Sequence, residues 1–161
     1  MLEYFLPLTL SVGVGANSFT ENEYSSNGSF HYVLAKKDAG FYNWGSFYNR
    51  VESPMAETDF MAMGLGYRYS VSYKTSLFAE AGSIIYSNRE ETGVLPPGLD
   101  YSVGKAPLFK AGAGFAITEK LNAYVSYNYY EPTARVVMGD ITINEKTVKL
   151  HNFELKFLMR L

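Results

Sequence analysis

The stretch Leu6 to Ala16, LPLTLSVGVGA, decides the fold. Successive side chains of an extended chain point to opposite faces, so Leu6, Leu8, Leu10, Val12, Val14 and Ala16 share one side while Pro7, Thr9, Ser11, Gly13 and Gly15 share the other. One face is oily and the other is small and polar. The division recurs from Phe60 to Lys74, where Met61, Met63, Leu65, Tyr67, Tyr69, Val71 and Tyr73 oppose Ala62, Gly64, Gly66, Arg68, Ser70, Ser72 and Lys74. Phe109, Ala111, Ala113, Phe115 and Ile117 likewise alternate with Lys110, Gly112, Gly114 and Ala116, and Leu121, Ala123, Val125, Tyr127 and Tyr129 with Asn122, Tyr124, Ser126 and Asn128. The last run sets Phe153, Leu155, Phe157, Met159 and Leu161 against Asn152, Glu154, Lys156 and Arg160.

A water-soluble barrel must fill its centre with large apolar side chains, and the glycine-rich face of these strands cannot do so. The consistent assignment is inside out, with the apolar face in lipid and the small and charged face in a closed polar interior. The rest of the composition agrees. A chain of 161 residues makes one domain, 1–161, and one that is 47% hydrophobic and 16% aromatic is not intrinsically disordered. A net charge of -2 gives no footprint for nucleic acid, and the lack of cysteine excludes disulfides, thiolate zinc sites and a cysteine nucleophile. No apolar run approaches the roughly 18 residues of a membrane helix. Phe5 to Ala16 lacks a preceding Lys or Arg and follows Glu3, so it reads as mature chain, with any export signal preceding this numbering.

The alternation predicts eight strands, near Tyr4–Ala16, Asn27–Lys36, Phe41–Val51, Phe60–Tyr73, Ser76–Tyr86, Lys105–Ile117, Leu121–Glu131 and Val148–Leu161. Each reaches the roughly 9 to 11 residues that cross a bilayer at a tilt. The third is the least regular, because Phe41 and Phe47 lie on the opposite parity from Tyr42, Trp44 and Tyr48. Lys37–Gly40, Lys74–Thr75 and Thr118–Lys120 read as tight turns, and Asn17–Ser26, Glu52–Asp59, Ser87–Gly104 and Pro132–Thr147 as long loops. Tight turns on one side and long loops on the other place the former, with both termini, in the periplasm and the latter outside the cell. Trp44, Tyr69, Tyr73, Tyr86, Tyr127 and Tyr129 are expected as interfacial aromatics.

The stretches Gly64-Leu-Gly-Tyr-Arg-Tyr69, Leu77-Phe-Ala-Glu-Ala-Gly82, Ala111-Gly-Ala-Gly-Phe115 and Leu121-Asn-Ala-Tyr-Val-Ser-Tyr127 resemble the small eight-stranded outer-membrane barrels of the OmpA/OmpX type. The likeness runs over essentially the whole chain as a pattern. It implies an antiparallel up-and-down barrel in a Gram-negative outer membrane, bounded by lipid and lipopolysaccharide, monomeric and without a cofactor. The chain departs from that family in ending on Leu161 rather than an aromatic, and no part of it resembles an appended peptidoglycan-binding domain.

Inside such a barrel, a hairpin centred near Lys74 would set Arg68 opposite Glu80 as an ion pair. Lys110, Glu154, Lys156 and His31 fall at comparable heights, so three basic and two acidic charges should ring the lumen. The belt reads either as a gate or as a static polar core, and the static core is the expectation because a narrow polar barrel must pair its inward charges. An eight-stranded interior filled by side chains leaves no wide channel. Neither His31 nor His151 has metal-ligand spacing, and His151 beside Glu154 lacks a serine on its own face, so no catalytic residue is expected.

The presumed outer loops hold most of the acids, among them Glu21, Glu23, Glu52, Glu57, Asp59 and Glu131, which read as a solvated rim. Val94, Leu95, Pro96, Pro97 and Leu99 form an apolar, proline-stiffened tip, a candidate contact site for a protein partner if exposed and a plug if folded back. Arg135–Met138 and Ile141–Ile143 alternate like strands, predicting a hairpin that protrudes beyond the membrane and presents edges for strand addition. The expected function is therefore non-enzymatic, structural or surface-interacting, with a small pore or carrier for ions or hydrophobic solutes as the alternative and a lipid-modifying enzyme third.

Overall fold

The computed structural model describes residues 8–20, 25–26, 28–36, 40–52, 56–91 and 96–161. Its strands are β1 (Leu8–Phe19), β2 (Ser25–Ser26), β3 (Ser29–Lys36), β4 (Phe41–Glu52), β5 (Ala56–Ser70), β6 (Thr75–Glu91), β7 (Asp100–Val103), β8 (Ala106–Ala116), β9 (Leu121–Tyr130), β10 (Thr133–Met138), β11 (Ile141–Thr147) and β12 (Leu150–Arg160). Eight of them, β1, β3, β4, β5, β6, β8, β9 and β12, pair antiparallel in chain order, and β1 meets β12 from Ser11 opposite Arg160 to Phe19 opposite Asn152. The wall is closed, so it exposes no lateral edge.

Its faces are inverted relative to a soluble barrel. Leu8 is 63% exposed, Leu65 67% and Phe115 45%, all on the outside, whereas Lys156 is 2% exposed on the inside. A belt of outward Leu, Val, Phe, Met and Tyr can be stable only against lipid, and the closed ladder satisfies the backbone that lipid cannot. The structure thus realises an eight-stranded antiparallel transmembrane barrel, as the alternation of Leu6 to Ala16 and its repeats predicted.

Glycine does two jobs in the wall. A Cβ on Gly13 would collide with the backbone carbonyl of Phe157 across the β1–β12 seam, so the close approach that shuts the barrel requires glycine there. Gly66 and Gly82 instead leave inward hollows that β4 fills, with the Tyr42 ring lying on Gly66 of the adjacent β5 and Trp44 reaching past β5 to bring its Cζ2 within 2.7 Å of where a Cβ of Gly82 on β6 would stand. This accounts for the irregular third strand. Phe41 faces out, while Tyr42 and Trp44 point inward, and the register slips between Ser46 and Asn49. Trp44 is therefore a lumen residue, 1% exposed, and not the interfacial aromatic that sequence suggested. Tyr69 and Tyr127 do lie outside.

Two of the predicted connections need correction. Residues 71–74 form the whole turn between β5 and β6, so Val71 and Tyr73 leave the strand and the hairpin centres on Tyr73. Val71 and Ser72 donate their backbone N–H to Thr75 O, and Ser72 Oγ accepts from the amides of Lys74 and Thr75 at 3.2 and 3.1 Å. The β8–β9 turn repeats this, Ile117 and Thr118 bonding Leu121 O and Thr118 Oγ1 accepting from Lys120 and Leu121. In both, a hydroxyl caps two amides that the turn leaves unpaired. The supposed long loop Glu52–Asp59 is instead mostly ladder, since the β4–β5 pairing continues to Glu52 opposite Glu57.

Beyond the barrel, β11, β10 and β7 make a separate three-stranded antiparallel sheet. The predicted hairpin at 135–143 is present, turning at Gly139 with φ +59, a left-handed conformation that suits glycine. It is joined by β7, which the sequence had shown only as loop, through pairs from Ala134 opposite Val103 to Val137 opposite Asp100.

Candidate functional site

The inward positions of four strands assemble a charge belt across the lumen. His31 comes from β3, Glu80 from β6, Lys110 from β8, and Glu154 and Lys156 from β12; each is buried to 5% exposure or less. Glu154 lies at the centre, with Lys110 Nζ 3.2 Å from Oε2 and His31 Nε2 3.1 Å from Oε1. Ser126 Oγ donates to the same carboxylate at 3.3 Å, and Ser29 Oγ contacts His31 Nε2 at 2.6 Å. Glu80 Oε1 receives Lys156 Nζ at 3.4 Å and the Tyr42 hydroxyl at 2.9 Å. The two cations also rest on aromatic faces, Lys110 over Trp44 at 4.8 Å and Lys156 over Phe78 at 5.3 Å. Burial of four formal charges is tolerable because each has an opposite partner and several have further contacts.

Above the belt an amide ladder continues toward the long-loop end, Asn128 Nδ2 donating to Asn152 Oδ1 at 2.8 Å and Asn152 Nδ2 to the Tyr130 hydroxyl. Apolar side chains then close the bore: Phe60, Ala62, Ile84 and Leu108 surround a pocket of only ≈ 20 Å³ above, while Phe78, Tyr124, Val33 and Leu158 lie below. Space for one water at the top is no conduit. A larger cavity of ≈ 640 Å³ opens at the short-turn end and shares no lining residue with the upper pocket. Side chains fill the middle of the bore, including Trp44, Glu154, Asn128 and Asn152, all 2% exposed or less.

Arg68 stands apart from the belt. Because the β5–β6 hairpin centres on Tyr73, Arg68 is opposite Phe78 and Glu80 is opposite Gly66, so the expected Arg68–Glu80 ion pair does not form. Arg68 Nη1 instead donates to the Tyr124 hydroxyl at 3.2 Å, with its guanidinium carbon 5.8 Å from the Tyr42 ring centre. The shift of two residues kept Arg68 facing inward and changed its neighbour. The shared pattern Ser72-x-Lys74 and Thr118-x-Lys120 was the signal that would have set this register. Tyr42 and Trp44, which support the belt, escape the sequence reading because their bulk reads as lipid-facing, whereas Tyr124 has the inward parity that the sequence assigns it.

The outer face holds a second polar group. Tyr127 hydroxyl bonds His151 Nδ1, Tyr129 hydroxyl bonds Glu131, and the Tyr129 and His151 rings lie 4.9 Å apart. His151 is on the outward parity of β12 and Glu154 on the inward one, so they do not form a dyad. Among the described residues no group of three acidic or histidine ligands is placed to hold a metal. At the long-loop end Arg50 bridges Glu57 and Asp59, and Arg135 bonds Glu145 at 2.7 Å. Of the apolar loop tip, Val94 and Leu95 lie outside the described residues; Pro96–Leu99 is a β-turn closed by Leu99 N–H to Pro96 O, with Gly98 at φ +88 and both prolines exposed.

No protein-family description and no curated protein matches the chain by sequence. Solved structures match by shape over nearly all of it. Neisserial surface protein A aligns with TM-score 0.61 and 10% identity, covering 96% of this chain and 97% of that one. The outer membrane protein OprG from Pseudomonas aeruginosa aligns with TM-score 0.56 and 8% identity, covering 96% and 95%. A de novo designed transmembrane β-barrel gives 0.60 at 16% identity, covering 95% of each. At these identities the likeness is one of fold: it supports the small outer-membrane barrel architecture in general and not the OmpA/OmpX type in particular.

Proposed function

We propose that this chain is a non-enzymatic, integral protein of the bacterial outer membrane that acts through its extracellular end, the barrel serving as a closed anchor. The observation that carries this reading is the three-stranded sheet β7-β10-β11 standing beyond the barrel. Met138, Ile141 and Ile143 are half or more exposed on its hairpin, and among the described residues no strand pairs with the outer edge of β11. Exposed apolar groups beside an open strand edge favour contact with another macromolecule. The filled bore supports an anchor over a pore.

The test replaces residues 136–143 by a short Gly-Ser turn and compares cells displaying this variant with cells displaying the native chain. Retention on abiotic and host-cell surfaces and cell–cell aggregation are scored. The expected result is loss of retention while the variant, unheated, still runs as a compact barrel on a gel and shifts on boiling. Equal retention overturns the proposal. Steady conductance of the native chain in a planar bilayer would favour the pore instead.

A further inference from the structure

The belt pairs Glu154 with Lys110 and Glu80 with Lys156, and among the described residues no carboxylate forms an ion pair with the inward Arg68. A guanidinium has five N–H donors, and among the described residues the one side-chain hydrogen bond from Arg68 is that to Tyr124. Arg68 lines the ≈ 640 Å³ cavity at the short-turn end, whose charged lining among the described residues is Lys36, Arg68 and Arg160 against Glu119. Thr9, Ser11 and Asn122 add hydroxyl and amide donors to the same wall. A half-buried cation backed by an aromatic ring and facing a wet cavity rich in donors is the arrangement that recognises an oxyanion through two parallel N–H bonds.

We propose that this vestibule binds a phosphate group, held by Arg68 at its inner end and by Lys36 and Arg160 at its mouth. Phosphate fits better than carboxylate because its charge and its several oxygens match three cations spread around a cavity, whereas a carboxylate would engage Arg68 alone. Tyr69 and Tyr73, exposed beside this cavity, are side chains of the kind that sit at a membrane interface, so the phosphate can belong to an anionic phospholipid or arrive as a soluble ion. The site is at the opposite end of the barrel from the outer sheet and stands whether or not that sheet binds a partner.

The test uses the full chain refolded in non-ionic detergent, with arginine side-chain Nε–Hε NMR signals read during titration with inorganic phosphate at constant ionic strength, and with chloride as the control. A saturable shift of the Arg68 signal with phosphate and none with chloride is expected, with affinity, read from the Arg160 signal of the same cavity, falling at least tenfold in Arg68→Gln. A second variant, Lys36→Gln with Arg160→Gln, leaves the lumen untouched and should weaken binding several-fold even if Arg68→Gln fails to fold. Nanodiscs separate the sources: a shift produced by phosphatidylglycerol over phosphatidylcholine without added phosphate identifies the lipid, and a shift needing added phosphate identifies the soluble ion. A response to chloride equal to that for phosphate, no saturable shift in any medium, or unchanged affinity in the variants would overturn the proposal.

Discussion

Replacing Glu154 by glutamine removes the charge on which the belt is centred and keeps its shape. Lys110 Nζ, 3% exposed at 3.2 Å from the carboxylate, would then have no anion beside it, and His31 and Ser126 would lose the charged oxygens they now contact. Removing one member of a buried ion pair costs about 3–5 kcal/mol, because the other charge stays desolvated and unpaired. The amide oxygen of glutamine still accepts one bond, so the expected loss for Glu154→Gln is near the lower end, about 3 kcal/mol. Trp44 is the only tryptophan and lies against Lys110, which makes its fluorescence a direct reporter in urea unfolding from lipid vesicles. The double variant Lys110→Met with Glu154→Leu should recover most of the loss or exceed the native stability, since a well-packed apolar pair avoids desolvating two charges. If Glu154→Gln unfolds within about 0.5 kcal/mol of the native chain, the buried-pair argument does not hold here and water must reach the belt.

Further outcomes follow from the same geometry. Leu65→Arg, at a site 67% exposed, should cost about 2–4 kcal/mol in vesicle unfolding, as charge on a lipid face near the midplane does, whereas in a soluble barrel it would be nearly neutral. Gly66→Val would displace the Tyr42 ring and its bond to Glu80; a loss of about 2–4 kcal/mol is expected from overpacking plus the lost charged hydrogen bond, read by the same urea series. Ser72→Ala removes the acceptor for two turn amides and should lower stability by about 1 kcal/mol, with Thr118→Ala matching it because the two turns are built alike.

Much of the fold was legible because it depends on parity. A strand's facing is a local property, so alternation in Leu6 to Ala16 or Phe153 to Leu161 marks lumen and lipid without knowledge of any partner. His31, Glu80, Lys110, Glu154 and Lys156 were accordingly placed inside and near one another. The third strand misled because the rule assumed that bulk faces lipid, while Tyr42 and Trp44 turn inward to fill hollows left by Gly66 on β5 and Gly82 on β6. Bulk across a ladder is not visible in the strand that supplies it.

The amino-acid order by itself determined the number of wall strands, their inverted faces and the set of charges directed into the bore. Which charges meet was decided only in three dimensions. A hairpin shifted by two residues keeps every side chain on its face, so the pattern cannot distinguish Arg68 opposite Glu80 from Arg68 opposite Phe78; the turn capped by Ser72 makes the choice. The partners of Glu80 and Glu154 come from across the barrel, Lys156 from β12 and His31 from β3, and closure of the wall is what brings them within reach. The joining of β7 to the outer hairpin is decided in the same way, because strand pairing between distant segments depends on where the barrel ends each of them.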